Sequence, residues 1–303
     1  LREDIRVVVS VHSVTPSARK IALAYRERVS AFVPVSWAVE NKLRSMLPRQ
    51  EQAKIYRIPN VVDTNRFEPK KSYVEDGIVK IVFFGRVEDV TKGCDKIPPI
   101  AKILKEKELK FEIDIFGYFH WGFEKRFYEL LKQYDVEDVI HYKGCVAMDD
   151  IPMTLPQFDI MIMPSNHEGF PLALLEAMAA GIPCVASCLK DTTDKAITAG
   201  GEGGLCEKNY ISDFAKKLYR YAIDAKLRER VGRAARTKVE RCFSMDSQGI
   251  AYSYVFASIM VSKNYKMVKA PTLENYKQPE MVKPHILARI LPLWFKKILK
   301  KFL

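Results

Sequence analysis

From position 78 onward the chain alternates short apolar runs with amphipathic stretches, and no other property restricts its fold as tightly. Runs that read as strands lie at 78–85 (IVKIVFFG), 111–117 (FEIDIFG), 139–144 (VIHYKG), 158–165 (FDIMIMPS) and 182–187 (IPCVAS). Helical patterns fall near 95–106, 123–134, 171–180, 211–224 and 226–241, with a short helical stretch after 144 and a Gly-rich segment, AGGEGGLC, at 199–206. Strands and helices alternating at this spacing predict an α/β fold, a parallel sheet covered on both faces. Ligands of such sheets bind outside the carboxyl ends of the strands. Arg86, Gly117, Ser165 and Glu168 fall at such ends and are expected to line one crevice.

The first 70 residues carry less. Strands are expected at 5–13 and 31–36, a helix after Thr15-Pro16-Ser17, a second helix over 37–47, and a third strand within KIYRIPNVVDTNRFEP at 54–69. Three strands and two helices make a thin sheet, so a complete doubly wound domain would carry further βα units before Leu1. The chain opens on Leu1-Arg2-Glu3-Asp4, without Met or a signal-peptide pattern, which reads as a piece of a longer protein. Its 303 residues suit two domains. The expected division is a partial N-terminal domain at 1–70, a second α/β domain at 71–245, a further helix at 246–262, and a linker and basic tail at 263–303.

The net charge of +12 leaves open an anionic partner, a nucleotide, a nucleic acid or a lipid surface. Nucleic acid is not expected, because basic and aromatic residues are not interleaved and no nucleic-acid motif is present. No run of 18 apolar residues occurs, so no membrane-spanning helix is expected. Within the tail, Trp294, Phe295, Ile298, Leu299 and Phe302 fall on one helical face and Lys296, Lys297, Lys300 and Lys301 on the other. That pattern predicts an interfacial helix over 285–303 on anionic lipid, the alternative being a helix packed on the protein's own surface. The expected location is the cytoplasm, and the tail, where it meets lipid, would make the protein peripheral on the inner face of the membrane. The six cysteines form no C-x-x-C and stand at no zinc-finger spacing, so they read as buried free thiols and no metal site is expected.

The stretch HEGFPLALLEAMAAGIP at 167–183 carries the chemistry. Pro171 suits the first turn of a helix and Gly181 its C-terminal end. Glu168 then lies in the loop before the helix and Glu176 about a turn and a half inside it. Backbone N–H groups at the helix mouth favour an anion such as phosphate, and Gly169 admits a ligand close to the backbone. A carboxylate on the helix can accept from two neighbouring hydroxyls, as on a ribose. By pattern alone, Glu176 reads as readily as an exposed helix residue. Arg86 and Lys92, in the loop after the first strand of the series, form a second anion-binding pair or plain surface cations. Without a DxD-like cluster, these cations can take the place of a metal on a departing diphosphate.

Together, FGRVEDVTKG (84–93), FDIMIMPSNHEGFPLALLEAMAAGIPCVAS (158–187), GEGGLC (201–206), VSVHS (9–13) and IPNVVDTNRF (58–67) resemble the retaining glycosyltransferases of family four, over roughly 5–262. The resemblance implies the type-B fold of two facing Rossmann-like domains, here with the N-terminal one truncated, the donor nucleotide-sugar-binding domain at 71–245, and the 246–262 helix packing back toward the N-terminal one. It implies a nucleotide-diphosphate sugar as donor, a saccharide or lipid-linked acceptor hydroxyl, retention of configuration, and neither cofactor nor metal. The leaving phosphate would assist acceptor deprotonation on its own face. Residue by residue, Arg86 and Lys92 would bind the diphosphate and Glu176 the ribose. Glu168, with the backbone of Gly169, Phe170, Pro171 and Leu172, would place the sugar and phosphate. His12 would line the cleft near the sugar, completing a catalytic set of His12, Arg86, Lys92 and Glu168. The Gly-rich loop that opens the family's N-terminal domain has no counterpart here, which leaves a nucleotide-sugar-binding half as the competing reading.

Overall fold

A computed structural model describes residues 5–13, 15, 23–24, 26–73, 77–120, 122–198 and 200–261. Most of the helix expected after Ser17, the linker and the basic tail lie outside the described residues. In the N-terminal part, β1 (Val7–Val11) and β2 (Val29–Pro34) pair in parallel. Helix α1 (Trp37–Arg44) follows, and the Ser36 hydroxyl accepts from the Val39 N–H at 3.2 Å, satisfying one of the free donors of its first turn. The strand expected within 54–69 does not form. Tyr56 and Ile58 donate to the Phe32 and Pro34 carbonyls of β2, leaving one isolated bridge to β2, and Pro59, which has no N–H, follows directly; a second isolated bridge joins Val62 to Ser244.

The main sheet holds β3 (Val79–Phe84), β4 (Phe111–Phe116), β5 (Ile140–Gly144), β6 (Ile160–Met163), β7 (Cys184–Ser187) and β8 (Gly203–Cys206). All pairings are parallel, in the order β5-β4-β3-β6-β7-β8. Strand β8 is an addition to the expected set. Gly-rich segments are poor in strand formers, and only the pairing with β7 makes this one a strand.

The connecting helices are α2 (Ile97–Glu106), α3 (Phe123–Tyr134), α4 (Leu172–Ala179), α5 (Ile211–Ala222), α6 (Ala225–Cys242) and α7 (Met245–Val261). On α2, Ile97, Ile100, Ala101 and Leu104 recur at helical spacing and pack with Phe127 of α3 and Phe214 and Leu218 of α5 on one sheet face. The other face packs α4 and α6 together with Val11, Phe32 and Val35 of the N-terminal part. One apolar core therefore joins the main sheet to β1 and β2. Helix α7 returns to β2, where Val255 and Ile259 meet Ala31, Val33 and Ile58. Among the described residues no helix is long and apolar enough to cross a membrane.

The expected set of buried thiols is half right. Cys94, Cys184 and Cys206 are buried and free, whereas Cys145, Cys188 and Cys242 are exposed. Burial pushes the thiols of Cys94, Cys184 and Cys206 well above the usual range, which leaves them unreactive.

Candidate active site

The strand order reverses between β3 and β6: the chain leaves β3 toward β4 on one side and leaves β6 toward β7 on the other. At such a switch point the loops diverge and open a crevice. A cavity of about 330 Å³ opens there, and His12, Asn60, Arg86, Lys92, Ser165, Glu168 and the 169–173 backbone turn line it, over an apolar floor of Phe83, Phe84 and Met163. Residues more than 150 positions apart thus share one wall.

Glu168 is the centre of the polar network. Lys92 Nζ lies 2.7 and 3.0 Å from its two carboxylate oxygens, and the buried Ser165 hydroxyl donates to Oε1 at 2.7 Å. Both partners of the ion pair are largely shielded, at 21% and 8% side-chain exposure, so solvent screens it less than a surface pair. Arg86 is more open. Its guanidinium lies 3.7 Å from Glu88 and 3.4 Å from the Thr91 hydroxyl. Glu88 is buried, which by itself raises its carboxyl. Hydrogen bonds from the Thr91 hydroxyl and N–H, with the charges of Arg86 and His120, outweigh burial and hold it below the usual carboxylate range. Glu88 therefore stays charged and tethers the loop that carries both cations.

Pro171 is the N-cap of α4, with extended backbone at φ −75° and ψ 116°, and the helix begins at Leu172. This shifts Pro171 one position outside the first turn expected for it. The first-turn N–H groups of α4 have no partners within the helix, and Leu172 and Ala173 of that turn line the cavity. The Phe170 ring is buried between Trp37 and Phe243, at 6.5 and 5.3 Å between ring centroids, so only its backbone is left for a ligand. Its carbonyl accepts from Asn60 Nδ2 at 2.7 Å. Asn60 went unrecognised in the sequence, although it sits inside the quoted IPNVVDTNRF segment.

Gly169 lines the cavity as expected and also meets a second close neighbour. A Cβ there would stand 1.9 Å from the His12 carbonyl oxygen, so what approaches this backbone closely is the end of β1. His12 itself is exposed at the cavity mouth, with Nε2 2.9 Å from the Ser10 hydroxyl. Gly117 does not join the crevice wall. It packs against the Gly85 carbonyl one strand away from the switch point.

Glu176 also lies off the cavity wall. It is partly buried on α4, and burial raises its carboxyl above the ordinary value of 4.5, opposed by the charge of Arg66. The two glutamates stand in different surroundings: Glu168 is paired with the Lys92 ammonium, whereas burial dominates at Glu176. Among the described residues, no group of three or more His, Cys, Asp or Glu is placed to hold a metal.

A sequence profile of the family described as "Glycosyl transferases group 1" matches residues 65–238, more than half the chain. The chain belongs to this family. A protein named for colanic acid biosynthesis, the glycosyltransferase WcaL of Escherichia coli (strain K12), is 27% identical over 79% of this chain and 61% of its own length. The chain thus spans about three fifths of such a relative. Among solved structures, Anabaena HepE in complex with UDP and glucose superposes with a TM-score of 0.74 at 16% identity, covering 84% of this chain and 72% of that one. S. aureus TarM, solved with UDP, superposes at 0.73 and 18% identity, over 83% of this chain and 50% of that one. The likeness establishes the type-B glycosyltransferase fold for this group 1 member. The profile match takes in the Arg86–Lys92 loop, Glu168 and Glu176, and leaves His12 outside.

Proposed function

We propose that this chain binds a nucleotide-diphosphate sugar in the switch-point cavity and transfers the sugar, with retention, to an acceptor hydroxyl. The carrying observation is the convergence of Arg86, the Lys92–Glu168 pair and the amino end of α4 on one cavity. At about 330 Å³ it lies at the small end of ligand pockets, ~300–1,000 Å³, which suits the sugar and diphosphate. The nucleoside would extend along α4 to Glu176, whose carboxylate, poorly solvated by the protein, would gain two hydrogen bonds from the ribose hydroxyls. Each charge-assisted bond contributes about 1.5–3 kcal/mol.

In this reading Arg86 and Lys92 hold the diphosphate, with the free N–H groups at the start of α4 beside them. The C1–oxygen bond to the diphosphate breaks as the acceptor oxygen bonds C1 on the same face. The acceptor proton passes to the departing phosphate oxygen. Charge preorganised on Arg86, Lys92 and the helix end stabilises that leaving group, and Glu168 holds the sugar while fixing Lys92. His12 would sit at the sugar end from the N-terminal side. We assign donor binding to 71–245 and the acceptor side to 1–70, with synthesis of a surface polysaccharide or glycolipid as the setting, a choice supported by the relative named for colanic acid biosynthesis. An anionic membrane surface contacted through 285–303 fits a lipid-linked acceptor.

A second reading is a donor-binding unit that acts only with further polypeptide. It is favoured by the N-terminal sheet, two parallel strands with Val7, Val8 and Val9 only partly covered, where parallel sheets are ordinarily buried on both faces. Isothermal titration with UDP-, GDP- and ADP-sugars, followed by assays of donor hydrolysis and transfer, separates these readings. Binding with transfer supports the first, and binding without transfer supports the second. Failure of all three nucleotide sugars to bind overturns both.

A further inference from the structure

Behind the cavity wall, two loops that carry its charged groups are bolted together by side chains that do not reach the cavity. Asn166 N–H and His167 N–H both donate to the Thr91 carbonyl, at 2.7 and 3.1 Å. Asn166 Nδ2 donates to the carbonyls of Asp89 and Val90, at 2.9 and 3.2 Å. Lys96, only 6% exposed, reaches back from the start of α2 and donates to the Pro164 carbonyl at 2.8 Å and to Asn166 Oδ1 at 2.5 Å. Gly93 makes room for this. Its φ of +65° is left-handed, and a Cβ there would stand 2.3 Å from the Pro164 oxygen and 2.9 Å from Lys96 Nζ. Every polar atom of the Asn166 side chain is thereby used, each on the partner loop or on the lysine beneath it.

Resting on the donor-site reading above, we propose that Asn166 and Lys96 are positioning residues that set the Lys92–Glu168 spacing on which donor-diphosphate binding depends. Lys92 stands one residue beyond Thr91, and Glu168 two residues beyond Asn166, so the bolt lies immediately behind the ion pair. A cation and a carboxylate on separate loops would otherwise each follow its own loop's motion. The wall would then lose its fixed charge geometry, which is what makes preorganised groups effective on a leaving phosphate. A buried ammonium costs desolvation, and burial indeed pulls the Lys96 ammonium below its ordinary range, against the raising effect of Asp95. An apolar side chain would fill that space at less cost, so the lysine's presence is explained by what it holds. Its two acceptors belong to the loop that bears Glu168.

The test uses the full 303-residue chain with UDP, GDP and ADP as probes, Asn166→Ala and Lys96→Met as variants, and Lys92→Ala as the benchmark for the donor reading. Loss of the loop hydrogen bonds is expected to weaken nucleoside diphosphate binding about tenfold in either variant, against on the order of a hundredfold for Lys92→Ala. Because Asn166 acts through Lys92, the double variant Asn166→Ala, Lys92→Ala is expected to bind no more weakly than Lys92→Ala alone, a non-additivity that a general loss of stability would not produce. Multiplying effects, or unchanged affinity in folded Asn166→Ala and Lys96→Met, overturn the proposal. Hydrogen exchange gives the second readout. The amides of Gly93, Asn166 and His167 are expected to exchange faster in both variants while those of β3 and β6 stay protected, and unchanged exchange also overturns it. Should the wild type bind none of the probes, the donor reading fails, and the loop coupling is still decided by exchange.

Discussion

The two sides of the cavity are built on opposite principles. On the side of the main sheet, each charged group is held by others: Lys92 by Glu168, Glu168 also by Ser165, and Arg86 lies beside the buried Glu88. On the N-terminal side the cavity receives an exposed His12, Asn60 and the His12 carbonyl lying over Gly169. The first side is prepared for a charged ligand whatever the second does. The second is held in place by backbone contacts and by the apolar core it shares with α4 and α6. Donor binding should therefore depend on side-chain chemistry, and the acceptor side on how closely two backbones can approach.

The largest expected effect comes from Lys92→Ala, which strands the shielded Glu168 carboxylate and removes a cation from the diphosphate. Nucleotide-sugar binding should fall on the order of a hundredfold by calorimetry, about 3 kcal/mol, with a smaller fall for the more exposed Arg86→Ala. If Arg86→Ala proves the more damaging, the prepared wall is misassigned.

Gly169→Ala attacks the other side. Its Cβ would overlap the His12 carbonyl, so the end of β1 must move, at a cost of about 1–3 kcal/mol. Transfer to acceptor should fall more than donor affinity, and a kcat and KM comparison against the donor reads that difference. Equal losses in both would erase the distinction between the two sides. Asn60→Ala should act more weakly in the same direction, about 1 kcal/mol, because the Phe170 carbonyl loses one neutral donor.

The smallest effect is on stability, and it runs against binding. The Glu176 carboxyl is raised above 4.5 in the folded protein by burial, so just above that value the folded state holds more protons than the unfolded one. Stability from this group is present below pH 4.5 and is lost as pH rises through the folded value. Glu176→Gln removes the ionisation, so its melting midpoint should exceed that of the wild type at neutral pH, with the gain vanishing below pH 4.5. The same variant should bind the nucleotide more weakly. A melting curve that does not depend on this substitution at either pH would mean that Glu176 is solvated as an ordinary surface acid.

Much of the site is legible in the sequence. Arg86, Lys92, Glu168 and the helix mouth at 169–171 follow from residue type and place in the pattern, His12 and Leu172 from the family resemblance alone, and the cavity contains all of them. Their carriers were legible as well, because the apolar runs of β3, β4 and β6 are local patterns that need no partner to be read. Gly117 was placed wrongly by the same rule, since strand-end position says nothing about which strands are neighbours. Asn60 and Asn166 were missed for a related reason: asparagine in a loop is ordinary, and only the carbonyls it meets across long chain separations give it meaning. Strand β8 and the missing strand within 54–69 show the limit on fold. Glycine hid one, and Pro59, which has no N–H to continue a ladder, stopped the other after a single bridge to β2.

What the sequence determined alone is the repeating α/β unit, the anion-binding residue types and the separation of Glu168 from Glu176 by a helix mouth. These follow from periodicity and from the geometry of single elements. Only the tertiary structure decided that β3 and β6 are neighbours, that Lys92 is shared with Glu168, that Gly169 receives a backbone carbonyl, and that Lys96 lies buried beneath Asn166. Those facts depend on strand order and on contacts between residues distant in the chain, and local physical chemistry carries no record of either.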